Sequence, residues 1–351
     1  MQPVRLGIIG CGVIGRRHLE AAADSTAIDV VAVADLREGV ARQMAGKYGV
    51  ETVYARGDDL LEDGRVEAVV LAMPACIRTG LGLRAFERGK HVLTEKPVAM
   101  NADEVRQLIR ARGDLVAGCC SSRYRFLPSA DAVTAFLATG ALGALRMVQC
   151  RAIRPGSGPP QTPPPEWRLK VKLNGGGIMS NWGCYDLDYL LGVTGWSLRP
   201  KLVLGQTWTV PPKFEALTAP GSDAETHAAA IVRCEGGAVI HFERGEMTAA
   251  RAEDAWKIVG TEGSLELDML VKKGKRIVYN RASSEEGVVS ETIWEGDEDS
   301  GLVHAGPVED FALAIRENRR PRTGLEEALV VQQITDAIYR SAEEERAVEI
   351  G

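Results

Sequence analysis

The sequence predicts a doubly wound parallel α/β domain over residues 1–122. An α+β domain with a large, mainly antiparallel sheet follows over 123–351. Two observations carry this. Up to residue 122, short continuous apolar runs alternate with helical patterns, as in a parallel sheet covered on both faces. Between 202 and 296, strand patterns are separated by close turns, as in hairpins. The chain has 351 residues, 45% hydrophobic and 26% charged, which is enough material for two cores.

The elements follow in order. "VRLGIIG" (4–10) reads as a buried strand and "VIGRRHLEAAA" (13–23) as a helix. "DVVAVAD" (29–35) is a second strand, and 38–48 is helical. "VEAVVLAMP" (66–74), "KHVLTE" (90–95) and "LVAGCC" (115–120) are further strands, separated by helices near 76–88 and 101–112. Cys119 and Cys120 are expected on the last of these, facing opposite ways. Residues 128–139 look helical, and "ALRMVQCRAIR" (144–154) reads as a strand. The proline-rich stretch "PGSGPPQTPPPEW" (155–167) suits neither helix nor central strand and reads as a loop, in the position of a substrate lid or a plain connection. "HAAAIVRCEGGAVIHFERGEM" (227–247) is a hairpin around Glu235–Gly237, with a second turn at Glu262–Gly263. Helical patterns return at 305–317 and 324–343.

Composition excludes several functions. The net charge is −6 and the pI 5.6, against nonspecific binding to nucleic acid or anionic membranes. The basic run "RENRRPR" (316–322) reads as a solvated helix end. No stretch approaches the ~20 apolar residues of a membrane span. No secretory leader pattern precedes the first strand, so a cytoplasmic location is expected. The seven cysteines are scattered without a CxxC pair, as for buried reduced thiols. No zinc spacing is present and no metal is expected. His227 and His241 read as sheet-face residues.

Three motifs carry chemistry. "GCGVIG" places Gly10, Gly12 and Gly15 in GxGxxG spacing between a strand and a helix. The first glycine permits the turn, the second admits a pyrophosphate, and the third lets helix and strand pack closely. The helix N-terminus offers free N–H groups to the phosphates. Asp35, ending the second strand, suits the ribose hydroxyls of NAD and opposes a 2′-phosphate. Arg37 could accept that phosphate, so NAD is expected with NADP as the alternative. In "TEKPV" (94–98), Lys96 closes a strand at the sheet edge where ligands of such folds bind. Proline after it favours an extended backbone. In "GGGIMSNWGCYDLDYL" (175–190), Asn181, Tyr185 and Asp188 are spaced i, i+4, i+7, one stripe of a helix. By itself that stripe reads first as satisfied polar groups in a core helix.

GxGxxG at 10–15, "EKP" at 95–97 and "GGGIMSNWGCYDLD" at 175–188, in this order, resemble the glucose–fructose oxidoreductase / inositol dehydrogenase / MocA family over essentially the whole chain. The resemblance implies a Rossmann domain followed by an open, mainly antiparallel sheet that forms a homodimer or homotetramer interface. It implies hydride transfer between NAD(P) and a carbinol or carbonyl of a sugar, polyol or inositol-like small molecule. A glycoside-cleaving enzyme with tightly held NAD and a noncatalytic dinucleotide-binding regulator are the alternatives.

The same resemblance implies cofactor contacts from Gly10, Cys11, Gly12, Val13, Ile14, Gly15, Asp35, Leu36, Arg37, Met73, Pro74, Glu95 and Lys96, with Glu95 near the nicotinamide ribose. Lys96 is implied as the active-site lysine. Tyr185 stands where many members have histidine and Asn181 where many have aspartate, so Tyr185 is the implied acid and Asn181 an uncharged orienter. Asp188 is expected to be structural. A free phenol titrates near ~10, so the implied Lys96 ammonium would be needed to favour the phenolate. The glycines would let the helix N-terminus approach the cofactor. Arg78 replaces another common histidine. Trp167 and Tyr124 could offer apolar faces to a sugar, and Arg123 and Arg168 could fork onto its oxygens.

Overall fold

The computed structural model describes residues 2–158 and 164–351. Part of the expected loop at 155–166, residues 159–163, lies outside the described residues. The chain forms two compact units, Met1–Arg123 with Ser300–Leu329, and Tyr124–Asp299 with Val330–Gly351. The sequence reading put a single cut at 122. Instead the chain returns, and residues 300–329 pack with the amino-terminal unit.

The first unit alternates β1 (Val4–Ile9), α1 (Val13–Ala23), β2 (Ile28–Ala34), α2 (Glu38–Tyr48), β3 (Thr52–Tyr54), α3 (Gly57–Leu61), β4 (Ala68–Leu71), α4 (Ala75–Glu87), β5 (His91–Thr94), α5 (Ala102–Arg112) and β6 (Ala117–Cys119). The sheet order is β3-β2-β1-β4-β5-β6, every pair parallel. The order reverses between β1 and β4, which opens the crevice at the carboxyl ends of the strands. The strands are apolar throughout because helices cover both faces. Leu6 and Ile8 pack on one side, and Ile9, Val69 and Leu71 on the other. Each such side chain contributes about 1.5–3 kcal/mol by leaving water.

β3 and α3 escape the sequence reading because neither is long enough to show a period. Cys120 does not sit on a strand. It opens a 3₁₀ segment, Cys120–Phe126, and both Cys119 and Cys120 are buried. The returning helix α9 (Leu302–Glu317) inserts Val308, Phe311 and Ala312 into the core beside α1.

In the second unit come α6 (Pro128–Ala138), β7 (Leu145–Pro155), α7 (Val171–Asn174) and α8 (Cys184–Val193). The strands β8 (Pro200–Thr209), β9 (Glu225–Cys234), β10 (Val239–Thr248), β11 (Glu253–Gly260), β12 (Gly263–Leu267), β13 (Lys275–Ser283) and β14 (Gly287–Gly296) follow. They are completed by α10 (Leu325–Glu344), whose first residues, up to Leu329, belong to the first unit, and by β15 (Val348–Glu349). The nine-stranded sheet runs β14-β13-β12-β11-β7-β10-β9-β8-β15. It is mainly antiparallel, but β7 and β10 pair in parallel. One face is dry: Cys150, Phe242, Trp256 and Ile258 meet Leu187, Leu190 and Leu191 of α8 and Ile334 and Ile338 of α10. Leu204, Trp208 and Ile231 remain exposed. His227 reaches Glu243 at 3.1 Å and lies against Trp208. Among the described residues, no helix is long and apolar enough to cross a membrane.

Candidate active site

The turn from β1 into α1 has the form a dinucleotide loop requires. Gly10 has φ +97, and a Cβ there would lie 2.5 Å from the carbonyl oxygen of Ala72. A Cβ on Gly15 would lie 1.8 Å from the carbonyl oxygen of Gly10. Those two glycines are therefore obligatory for the turn and for helix–strand packing. At Gly12 a Cβ would approach only the Arg37 guanidinium, at 3.7 Å. That position is open, as the approach of a pyrophosphate demands. Cys11 is buried and its thiol is pushed up to about 12, first by burial and then by the charge of Asp35. Val13 is exposed and Gly12 starts no side-chain cap, so the first N–H groups of α1 have no side-chain acceptor from the cap.

Asp35 directly follows β2 and bonds to this loop. One carboxylate oxygen accepts from the Cys11 N–H at 2.8 Å, the other from the backbone N–H of Arg37 at 2.8 Å and its Nε at 3.3 Å. Burial works against its charge, but these donors outweigh it and hold the carboxyl below its usual value. The acid is thus ionised beside the loop, and Arg37 is tethered to it. Leu36 between them is exposed. These features fit an adenine dinucleotide whose ribose hydroxyls bond the carboxylate.

Lys96 follows β5, at the carboxyl edge of the sheet, and is half-buried. Its backbone N–H donates to the Glu95 carboxylate at 3.1 Å. The other Glu95 oxygen takes Arg123 Nη2 and His18 Nε2, both at 2.8 Å. Burial alone would raise the Glu95 acid, but the Arg123 charge, His18 and Lys96 hold it well below the carboxylate range. Glu95, expected at the nicotinamide ribose, is 4% exposed and enclosed in this network. Arg123, expected to fork onto substrate, is engaged with Glu95, because a buried guanidinium needs a carboxylate partner.

Cys120 lies close to His18 and Glu95, and burial pushes its thiol far up. With a guanidinium on the shared carboxylate oxygen, a proton-bonded network suits this cluster better than a cation. Arg78, in the first turn of α4, donates to the carbonyls of Met73 (2.9 Å), Lys96 (3.3 Å), Glu95 and Pro97. Met73 and Pro74 form the turn between β4 and α4 at the same edge.

In the second unit, the glycine-rich motif leads into a π-helical turn, Met179–Gly183, continued by α8. The simple helical stripe is therefore interrupted by a wider turn. The close approach that requires the glycines is to the neighbouring strand and helix. A Cβ on Gly177 would lie 1.8 Å from the Glu225 carbonyl oxygen, and one on Gly176 1.9 Å from the Tyr339 hydroxyl. The Glu225 carboxylate accepts from the N–H groups of Gly177 (2.8 Å) and Met179 (3.0 Å) and from the Tyr339 hydroxyl (2.8 Å). It serves as the acidic partner of this helix N-terminus. Burial dominates over those bonds and leaves its pKa raised.

Asn181 donates to the Arg168 carbonyl at 3.1 Å and accepts from Asn174 at 3.2 Å. Asp188, fully buried, pairs with Arg125 at 2.7 Å, which makes it structural. Tyr185 is 5% exposed and meets the edges of Tyr124 and Trp182, with ring centroids at 5.4 and 5.8 Å. Arg168, expected to bind substrate, forms a two-pronged bridge to Glu246 at 2.8 and 2.7 Å. Trp167 is exposed.

The residues that the sequence reading missed are His18, Arg78 as a backbone donor, Trp182, Glu225 and His304. His304 is held down to about 4 by burial and the charge of Arg123. Trp182 lies inside the glycine-rich motif and the others lie outside the motifs; His18 and Glu225 take partners distant in sequence.

Residues 4–114 match the family described as "Oxidoreductase family, NAD-binding Rossmann fold", and residues 131–266 match the "GFO/IDH/MocA C-terminal domain". A D-xylose 1-dehydrogenase (NADP(+)) of Haloferax volcanii is 27% identical, with 98% of this chain and 99% of the relative aligned. A dTDP-3,4-didehydro-2,6-dideoxy-α-D-glucose 3-reductase of Saccharopolyspora spinosa is 30% identical over 76% of this chain and 75% of its own length. Among solved structures, an oxidoreductase domain protein of Kribbella flavida superposes with a TM-score of 0.86 at 23% identity, both chains covered fully. Levoglucosan dehydrogenase in complex with NADH and levoglucosan superposes at 0.84 and 21% identity, covering 99% of this chain and 100% of that one. The chain therefore belongs to the GFO/IDH/MocA oxidoreductase family, with an NAD-binding Rossmann domain followed by the family's C-terminal domain.

Proposed function

We propose that this protein is a dehydrogenase or reductase of a sugar, polyol or inositol-like substrate that prefers NAD. The observation carrying the cofactor preference is the ionised Asp35 carboxylate bonded to the GxGxxG loop at Cys11. A negative charge there disfavours a second negative charge on the ribose. A bound nicotinamide supplies or accepts the hydride. Lys96 hydrogen-bonds the substrate oxygen through its ammonium and holds the charge that develops as the carbinol proton leaves. Tyr185 exchanges that proton through its phenol, as the family resemblance assigns it. Its ring packs edge-on against Tyr124 and Trp182, which also touch each other, in a cluster of three aromatic rings. Asn181 acts without charge, supporting the segment at Arg168. The names of the relatives support carbohydrate or polyol substrates.

The test is a panel containing D-xylose, myo-inositol and levoglucosan, with NAD and NADP separately, followed by nicotinamide absorbance and product analysis. Net NADH formation from a carbinol substrate is the expected result. Sugar release without net NADH would replace this reading with transient oxidation in glycoside cleavage. Dinucleotide binding with no turnover across the panel would favour a regulator.

A further inference from the structure

Arg78 is 3% exposed and sits in the first turn of α4. Both facts count against an arginine. Burying a guanidinium costs several kcal/mol unless every donor finds an acceptor, and a cation opposes the dipole at a helix N-terminus. What offsets them is a set of four carbonyls. Nε donates to Met73, Nη1 to Glu95 and Pro97, and Nη2 to Lys96. Three of these carbonyls are consecutive, on the residues that bracket and include the lysine. The fourth belongs to the turn after β4. On the other side of the same segment, the Lys96 N–H donates to the Glu95 carboxylate. That carboxylate is itself fixed by His18 and Arg123.

We infer that Arg78 is the positioning residue for Lys96, clamping the 95–97 backbone to the turn at Met73 so that the lysine leaves the sheet edge in one geometry. The inference rests on Lys96 being the proton-handling residue. Only a planar fork with five donors spans this set. A lysine carries its donors on one atom and cannot reach carbonyls on both the turn and the strand end. A histidine has two ring nitrogens and also cannot span four. The side chain thus acts through main-chain geometry rather than by touching substrate. Misplacement of a reacting group by about an ångström costs on the order of 10²-fold in rate, which sets the scale of the expected effect.

The test uses the full chain carrying Arg78→Lys, with Arg78→His as the second variant should the first fail to fold. Hydrogen exchange of the peptide spanning 93–100 is measured with and without NADH. NADH affinity is read from its fluorescence. kcat and KM are taken with whichever of D-xylose, myo-inositol or levoglucosan the wild type turns over. The expected result is faster exchange confined to 93–100 and the Met73 turn, with kcat lower by roughly 10- to 100-fold. KM and NADH affinity should stay within about 3-fold. In a Lys96→Met background, Arg78→Lys should cost little further rate, since the clamp acts through the lysine. Wild-type exchange and kcat in a folded variant would overturn the inference. So would losses of NADH affinity and kcat in parallel, which would make Arg78 a support of the cofactor loop alone. If Lys96→Met itself keeps wild-type turnover, the proposed role of Lys96 fails, and the exchange measurement still decides whether the clamp exists.

Discussion

Asp35 is held by three donors, two of them backbone N–H groups of Cys11 and Arg37, so its charge is part of the loop rather than a loose surface group. Asp35→Ser removes a charged acceptor and the repulsion of a 2′-phosphate, and it releases Arg37. Hydrogen bonds to charged groups are worth about 1.5–3 kcal/mol. The ratio of NAD to NADP affinity should therefore fall by roughly 10- to 100-fold. Titration of both cofactors into wild type and variant measures this, and tighter NADP binding by the wild type would refute the assignment. Lys96→Met should lower turnover by at least ~10²-fold with NADH affinity kept, the usual scale for a lost acid–base partner. Tyr185→Phe keeps the ring against Tyr124 and Trp182 and should fold normally, slow turnover by ~10²–10⁴-fold and erase one limb of the pH–rate profile. An unchanged profile would reduce Tyr185 to packing. At this scale Gly10, Gly15 and Asp35 were legible in the sequence, because their roles depend on spacing. The carboxylate partners of Arg123 and Arg168 were not, because a guanidinium takes whichever carboxylate the fold brings near, here Glu95 and Glu246.

The helical element behind Tyr185 depends on contacts with residues far along the chain, Glu225 and Tyr339. Gly177→Ala would drive a Cβ into the carbonyl of Glu225, a backbone atom that cannot turn aside. A cost above ~3 kcal/mol is expected, beyond ordinary overpacking, read as a lower denaturant midpoint of tryptophan emission. Gly46 is exposed in α2, and a Cβ added there would meet nothing within 4 Å. Gly46→Ala should stabilise by about 0.5–1 kcal/mol, measured by thermal melting. A similar penalty at both sites would mean that the clash at Gly177 is not what sets the cost. From the sequence, "GGG" announced a close approach but not what approaches. Glu225 and Tyr339 are too far along the chain, and a π turn has no period of its own to read.

Across the whole molecule, the two units differ in their acid chemistry. In the first unit Asp35, Glu67 and Glu95 are held below their unfolded values, and Asp63 and Glu326 lie at about 2. A depressed carboxyl adds stability above its unfolded pKa, and that stability is lost as pH falls through the folded value. In the second unit Glu243 behaves likewise, but Asp186 and Glu225 are raised by burial. Those two oppose folding when ionised, and acid relieves them. Acidification from about pH 5 to about pH 3 should therefore weaken the first unit before the second. The six tryptophans, Trp167, Trp182, Trp196, Trp208, Trp256 and Trp294, all belong to the second unit. NADH binding and protection of β1 from exchange should accordingly be lost at higher pH than the tryptophan emission shift. An emission shift that comes first would contradict this assignment of the acid-sensitive groups.

The sequence by itself determined the alternation of strands and helices, the dinucleotide loop with its acidic partner, and the antiparallel character of the second sheet. Each of these is written in local periods and short spacings, which neighbouring residues impose on one another. Only the tertiary structure decided that residues 300–329 return to the first unit and that β7 and β10 run parallel. It also decided that Glu95 is buried between His18 and Arg123, and that Arg78 grips the backbone around Lys96. These depend on which buried charge meets which acceptor across the fold. Desolvation makes that choice strict, and no local pattern in the chain records it.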